Sequence, residues 1–534
     1  MSRPVYENQP ELKAAFAETK RWLWRRLAAH SLVSVLAATL LFAGSLWALA
    51  RPGSQESTQS PPLGTSVMVA LYGRISSLDP LLSSDPIDRQ VLYNIYDSLL
   101  TIDPKGNLRP GMATQWEISS DGKAITLTLR TGARFQDGTL CDASVVKFNL
   151  DRYLKDGGAA NQRRSELSSI DSVEAPNSAT AILHLNKPDG TLFASLVDRA
   201  GMMLSPSAVK AGGQDFGAHP FNAGSGPFMF AEFKPNDHVT LRRNLNYWNG
   251  VPFLNEVIYS FQNDPANAYS ALKSGSINIS NQVDFNDFLK VKSNPALTYN
   301  EIPSFGFGGI ELNHKRVFRD ASKRKALAMA IDRRKLVETV FANLGAISYG
   351  PLSPSQSMYF DPTEKIFDYA DPQTARSIAT NFAFSLKTES SPAHVEEARL
   401  IQTQLKFAGI TVLVQPESQT QLDEDAKAGN FDAALVGSTG TLDPDGTMYN
   451  WFHTKGIDNL GSYTNSEVDR LLDEARTATI AARGPDYQQA QRMLVSDVAF
   501  VFIWHPPALE ITSARVRGLV AYPDDIYRFA KVTG

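Results

Sequence analysis

The chain has 534 residues, 43% hydrophobic, 20% charged and 10% aromatic, proportions that exclude collagen-like, low-complexity and wholly disordered chains. Lys and Arg number 52 against 56 Asp and Glu, a net charge of −4, and this balance offers no basic face for nucleic acid. A single cysteine, Cys141, excludes an intramolecular disulfide and any metal or cluster site built from cysteines. At about 150 residues per domain, the length suits three domains or one large bilobed body.

The charge is unevenly placed. Residues 1–50 hold six basic side chains (Arg3, Lys13, Lys20, Arg21, Arg25, Arg26) against Glu7, Glu11 and Glu18, so the surplus is positive there and negative in the remainder. A basic leader at 1–30 precedes an uncharged apolar stretch, SLVSVLAATLLFAGSLWALA, at 31–50. About 20 apolar residues can span a bilayer core as a helix, and the preceding Arg25-Arg26 favours a cytoplasmic N-terminus. The stretch closes on Ala48-Leu49-Ala50, a small-x-small pattern of the signal-peptidase type. The expectation is export, by a signal peptide cleaved after Ala50 or by a retained anchor helix. No cysteine stands there to carry a lipoprotein anchor. Residues 51–66, RPGSQESTQSPPLGTS, have the composition of a flexible tether, and everything from about Val67 onward is expected outside the inner membrane.

Along the exported body, Ala124–Arg130 alternates Ile125, Leu127 and Leu129 with Thr126, Thr128 and Arg130, which predicts a half-buried strand. Asp142 is a candidate N-cap for a helix carrying Val146, Leu150, Tyr153 and Leu154 at helical spacing. Cys141, next to that cap, reads as a small half-buried filler. A helix after Asp320 carries the stripe Leu327, Ala330, Ile331, Val337, Val340 and Phe341. Another carries Val395, Ala398, Ile401, Leu405 and Ala408, stops at Gly409 and leads into a strand over Ile410–Val414. Asp443-Pro444-Asp445-Gly446 reads as a turn, since the later ligands of a calcium loop are missing. Thr464-Asn465-Ser466-Glu467 has the form of a capping box before Val468, Leu471, Leu472 and Ala475. Strands and helices mixed in this way predict an α/β to α+β fold with several sheets.

The sequence holds no P-loop, no His-Glu-x-x-His and no Gly-x-Ser-x-Gly elbow. Its eight histidines lie too far apart to form a local metal pair. Nothing here proposes an enzyme, a metal site or a cofactor, and a binding protein is favoured.

Residues 78–153 resemble a known family. Leu78-Asp79-Pro80 and the run NIYDSLLTIDPKGNLRPGMATQWEISSDGKAITLTLRTGARFQDGT at 94–139 are similar to the family 5 extracellular solute-binding proteins. The matching patterns are Asn-x-Tyr-Asp-x-Leu at 94–99, Met112-Ala113 ahead of Trp116, and Leu129-Arg130-x-Gly132-x-x-Phe135-x-Asp137-Gly138. Three further blocks follow in the family's order. They are Gly224-Ser225-Gly226-Pro227-Phe228 through Asn244-x-x-Tyr247-Trp248-x-Gly250, a helix holding Arg324, Ala326, Ala330, Ile331, Asp332 and Arg333, and SYTNSEVDRLLDEA at 462–475.

The resemblance implies a bilobed periplasmic-binding-protein-like fold that closes over a solute by hinge motion. Lobe I would span 67–307, with an inserted subdomain near 108–222, and regain the chain at 508–534. Lobe II would span 308–507. It further implies a periplasmic substrate-binding subunit of an ABC importer, capturing a peptide or peptide-like solute between the two lobes and delivering it to permease and, through it, ATPase subunits, with the protein itself a monomer. The alternatives are a membrane-anchored sensory or regulatory binding protein, or a carrier of an opine, sugar or metal chelate. Peptide-binding members carry Trp-x-x-Asp in lobe II, whose Asp holds the peptide ammonium. Here Ser438 stands at the Trp and Thr441 at the Asp, which speaks against a free-amine peptide unless Asp443 or Asp445 takes over. The candidate ligand-binding residues are Ser83, Asp85, Phe305, Phe307, Ser438, Thr439, Thr441, Asp443, Trp451 and His453, with Trp504 and His505 as further pocket walls. Phe305 and Phe307 are expected on one strand face, spaced by Gly306 and Gly308.

Overall fold

The computed structural model describes residues 66–155, 161–262, 264–283, 285–361, 366–379 and 381–533. The leader at 1–30, the apolar segment at 31–50 and all of the tether but Ser66 lie outside the described residues. Among the described residues no helix is long and apolar enough to cross a membrane.

The described residues form one compact unit built around two large sheets. The seven-stranded sheet runs Leu297–Pro303, Pro507–Ser513, Ile279–Ser280, Ser66–Tyr72, Glu256–Gln262, His238–Arg243, Phe228–Lys234. The six-stranded sheet runs Ala346–Ile347, Phe500–His505, Phe307–Leu312, Ala433–Ser438, Ala383–Glu389, Thr411–Glu417. A four-stranded antiparallel sheet, Ala113–Ile118, Ala124–Leu129, Thr180–Leu185 and Ile170–Asn177, lies in the chain between Ser66–Tyr72 and Phe228–Lys234 of the seven-stranded sheet. The alternation read at Ala124–Arg130 is borne out: Ile125, Leu127 and Leu129 are buried, and the strand is paired on both sides. Phe500–His505 is buried along nearly its whole length, because helices cover both faces of the six-stranded sheet.

The residues that carry the resemblance are mostly scaffold. Partly buried Asp97 accepts hydrogen bonds from Trp248 Nε1 at 2.7 Å and Tyr247 OH at 3.1 Å, which ties the first block to the second. Burial pushes its carboxyl up to about 6, against those hydrogen bonds. Arg130 caps the Trp248 ring at 4.1 Å. A Cβ on Gly224 would stand 2.0 Å from Ile95 O, so this passage of backbone past backbone requires glycine. Cys141 is buried, and burial, then Asp97 and Asp142, pushes its thiol up to about 12; it is an inert core residue.

Two local expectations are corrected. The stripe after Asp320 is not one helix but two, Ala321–Ala330 and Arg333–Thr339. Ile331 is extended and Asp332 caps the second helix through Lys335 N at 2.9 Å. The break lets the buried Arg333 guanidinium reach Phe502 O at 2.6 Å and Phe367 O at 3.1 Å, partners a continuous helix would deny it. The N-cap at Ser466–Thr477 is Asn465, not Thr464, and Glu467 turns to Arg470 instead of back to the cap.

The two large sheets are joined by a two-stranded ribbon. Leu297–Pro303 pairs antiparallel with Pro507–Ser513 as far as Pro303–Pro507. Phe307–Leu312 then pairs antiparallel with Phe500–His505 in the other sheet. Between them Ser304 donates from N at 2.9 Å and from Oγ at 2.8 Å to Pro506 O. His505 Nδ1 donates to Gly306 O at 2.8 Å; burial holds this imidazole down at about 4, hence neutral.

Candidate functional site

The strands Ala383–Glu389 and Thr411–Glu417 are parallel along their whole length, bridged by the helix Pro392–Phe407. Ala433–Ser438 joins them in parallel, but only through Ala433 and Ala434, opposite Leu386 and Lys387. Its other edge is paired along its full length with Phe307–Leu312. From Leu435 to Ser438, therefore, no described strand covers one edge. Open α/β sheets bind ligands beyond the carboxyl ends of their parallel strands, and a cavity of about 560 Å³ lies here. That volume is within the range of small-ligand clefts, about 300–1,000 Å³.

Phe307, Gly308, Leu435, Val436, Gly437, Ser438, Thr439, Trp451 and Trp504 line it. Phe307 is held in an aromatic cluster, its ring centroid 5.2 Å from Trp451 and Phe500 and 5.3 Å from Phe502. Trp504 stacks on Phe341 at 4.0 Å and donates from Nε1 to Leu344 O at 2.7 Å. Ser438 Oγ accepts from Gly440 N at 3.0 Å, which turns the chain sharply after the strand. A Cβ on Gly440, where φ is +70°, would meet Phe305 O at 2.1 Å.

The lining is acidic. Glu311, Glu389, Glu397, Asp423 and Asp458 face it, against Lys427 and His394. Glu311 Oε1 accepts from Gly461 N at 2.7 Å, and burial still pushes its carboxyl up to about 7. Burial raises Asp458 as well. Glu389 meets His394 Nδ1 at 3.0 Å.

Of the residues named from sequence, Phe307, Ser438, Thr439 and Trp451 are brought together here, with Trp504. The others are engaged elsewhere. Ser83 is buried and accepts from Arg199 Nη1 at 3.0 Å, while Asp85 caps Ile87 N at 2.9 Å. Phe305 does not share a face with Phe307: it precedes the strand, follows the ribbon and enters the core that packs on the four-stranded sheet. Thr441 Oγ1 donates to Asp443 O at 2.5 Å. His453 is buried against Tyr449, its Nδ1 accepting from Lys455 N at 2.9 Å, and His505 belongs to the ribbon.

The two carboxylates offered as ammonium partners are both taken. Asp443 caps Pro444–Phe452 and is held in a two-pronged pair by Arg483, at 2.5 and 2.9 Å. Asp445 is held by Arg476 at 2.8 and 3.0 Å, with the guanidinium lying 3.4 Å over the Tyr449 ring. Glu397, Glu311 and Asp458 were not singled out from sequence. For Glu397 a signal existed, since it lies four residues before Ile401 on the apolar stripe of its helix.

Comparison with known proteins fixes the family. The profile of the bacterial extracellular solute-binding proteins, family 5, matches residues 107–459. The chain belongs to that family. It is 27% identical to the oligopeptide-binding protein AppA of Bacillus subtilis, over 95% of this chain and 99% of the relative. It is 26% identical to the glutathione-binding protein GsiB of Pectobacterium atrosepticum, over 86% and 93%. The solved structure of AppA with a nonapeptide superposes with a TM-score of 0.69 at 25% identity, covering 89% of this chain and 99% of that one. The substrate-binding protein CtaP of Listeria monocytogenes shares the fold at a TM-score of 0.80 and 20% identity, covering 88% and 99%. The mixed α/β bilobed fold expected from the resemblance is therefore the fold of this family 5 member. The family is extracellular, which agrees with the expected export. Its named relatives are binding proteins, not enzymes.

Proposed function

We propose that the protein is the substrate-binding subunit of an ABC importer, which captures a peptide or peptide-like solute between its lobes and presents it to permease subunits. The observation that carries this reading is the cavity along the uncovered edge of Leu435–Ser438. An extended peptide can add its main chain to such an edge, while side-chain pockets on either face supply selectivity. Aromatic walls from Phe307, Trp451 and Trp504 suit apolar side chains. The single ribbon between the sheets suits a hinge, since a few residues at 303–307 and 505–507 can absorb the closing rotation. The peptide-binding names of the AppA and GsiB relatives point the same way. Lobe I at 67–307 with its returning tail, and lobe II at 308–507, are the bodies that would move.

The test is mass spectrometry of solute co-purified with the folded protein, joined to thermal melts with a panel of peptides, opines, sugars and metal chelates. A captured solute at 100 times its Kd stabilises by about 2.7 kcal/mol, so the expected outcome is a concentration-dependent rise in Tm with peptides. If no member of the panel moves Tm and nothing co-purifies, the carrier reading fails; a rise with chelates or opines alone displaces the peptide class.

A further inference from the structure

Glu397 is 5% exposed and lines the cavity. It stands near the start of the helix Pro392–Phe407, on the face whose Ala398, Ile401 and Leu405 pack against the six-stranded sheet. Leu435 belongs to the same core, and Phe341 and Trp504 pack there as a stack with 4° between the rings. Among the described residues no hydrogen bond or ion pair reaches its carboxyl, and burial alone pushes it up to about 8. Asp443 and Asp445, by contrast, have arginines, and Glu311, which also lines the cavity, has a backbone amide.

An ionised carboxylate buried without a partner is costly. A cation brought by a ligand removes that cost, and aromatic faces beside it add to the attraction. The two carboxylates of the Asp443–Asp445 turn cannot serve without breaking their arginine pairs. We propose that Glu397 is the residue that selects the solute's positive charge: an ammonium or guanidinium group enters this side of the cavity and pairs with its carboxylate beside the Phe341–Trp504 stack. This rests on the cavity being the solute site, and it assigns to a helix residue the role that the loop after Ala433–Ser438 no longer fills.

The test offers the full-length protein a mixed tetrapeptide library, in free and N-acetylated form, and reads retained peptides by mass spectrometry. The wild type is expected to retain free-amine or Lys- and Arg-containing peptides at least about tenfold over neutral acetylated ones, the scale of a charge-assisted hydrogen bond. Glu397→Gln is expected to lose that preference while holding acetylated peptides as before. Glu338→Gln, an exposed carboxylate paired with Lys335 and outside the cavity lining, should keep it. A melting temperature of Glu397→Gln at or above that of the wild type establishes that the variant is folded. Peptide retention with the same cationic preference in Glu397→Gln overturns this role and leaves the peptide reading intact. Retention of no peptide by the wild type overturns both.

Discussion

Arg483 heads the largest side chains wholly shielded from water in this protein. It survives because its donors are spent on Asp443, Tyr487 OH and Ala475 O; burial opposes its charge, and Asp443 together with Tyr487 and Tyr359 more than offsets this. The same accounting exposes buried acids that are poorly served. Glu510 is almost wholly buried, its Oε2 has no partner among the described residues, and burial, then Asp525, pushes its pKa up to about 8 from 4.5. Between pH 4.5 and 8 the folded chain therefore holds a proton that the unfolded chain has released, so this group's contribution to stability falls as pH rises through that window. Glu510→Gln is expected to raise stability by about 1–3 kcal/mol at pH 9, the cost of an unsatisfied buried group, and to give no gain at pH 4. Urea unfolding at the two pH values checks this, and an equal gain at both would refute the titration argument.

Within a single helix, one side chain decides where the helix begins. Thr464 and Asn465 both have cap chemistry, but Asn465 can accept and donate at once. Its Oδ1 takes Glu467 N at 3.0 Å and Val468 N at 3.3 Å, while its Nδ2 reaches Asp497 Oδ2 at 2.9 Å. Tyr463 OH holds the same carboxylate oxygen at 2.7 Å. The cap thus fastens the helix Ser466–Thr477 to the end of Gly484–Asp497, with which it packs a shared apolar core. Asn465→Ala is expected to cost about 1–2 kcal/mol, whereas Thr464→Ala, at an exposed position, should stay within about 0.5 kcal/mol. Chemical denaturation of the pair tests it, and equal losses would return the cap to Thr464.

Across the whole molecule, the C-terminal segment packs onto the core of the seven-stranded sheet after the chain has returned along the ribbon. Asn94 is completely buried and donates to Gln90 O, Tyr259 OH and Tyr527 O at 3.0, 3.0 and 2.8 Å, while accepting from Phe529 N at 3.0 Å. One amide thereby joins a helix near the start of the described chain, a central strand and the tail. Asn94→Ala strands several buried polar groups at once, and about 3 kcal/mol or more of stability is expected to go. The loss should appear as a lower denaturant midpoint together with faster proteolysis of the tail. A change below about 0.5 kcal/mol would mean that the tail is held by its apolar contacts alone.

The sequence by itself was enough for the fold class and the family. Strand alternation at Ala124–Arg130 and the helical stripe ending at Gly409 are local patterns that backbone preferences and burial periodicity write directly, and the spaced blocks from Asn94 to Ala475 carry the resemblance to the family. It also marked Phe307, Ser438, Thr439 and Trp451 as residues that the fold gathers at one cavity. Tertiary structure decided what no spacing carries. Phe305 and Phe307 look equivalent in the chain, yet the ribbon sends them into different cores. Asp443 and Asp445 look available, yet arginines 40 and 31 residues downstream, respectively, neutralise them. Glu397 stands on the apolar stripe of its helix, which foretells burial, yet only the packing of that helix on the sheet leaves it facing the cavity without a partner among the described residues. The reason is physical: periodicity reports which side of an element is buried, whereas charge pairing and desolvation depend on which distant elements arrive there.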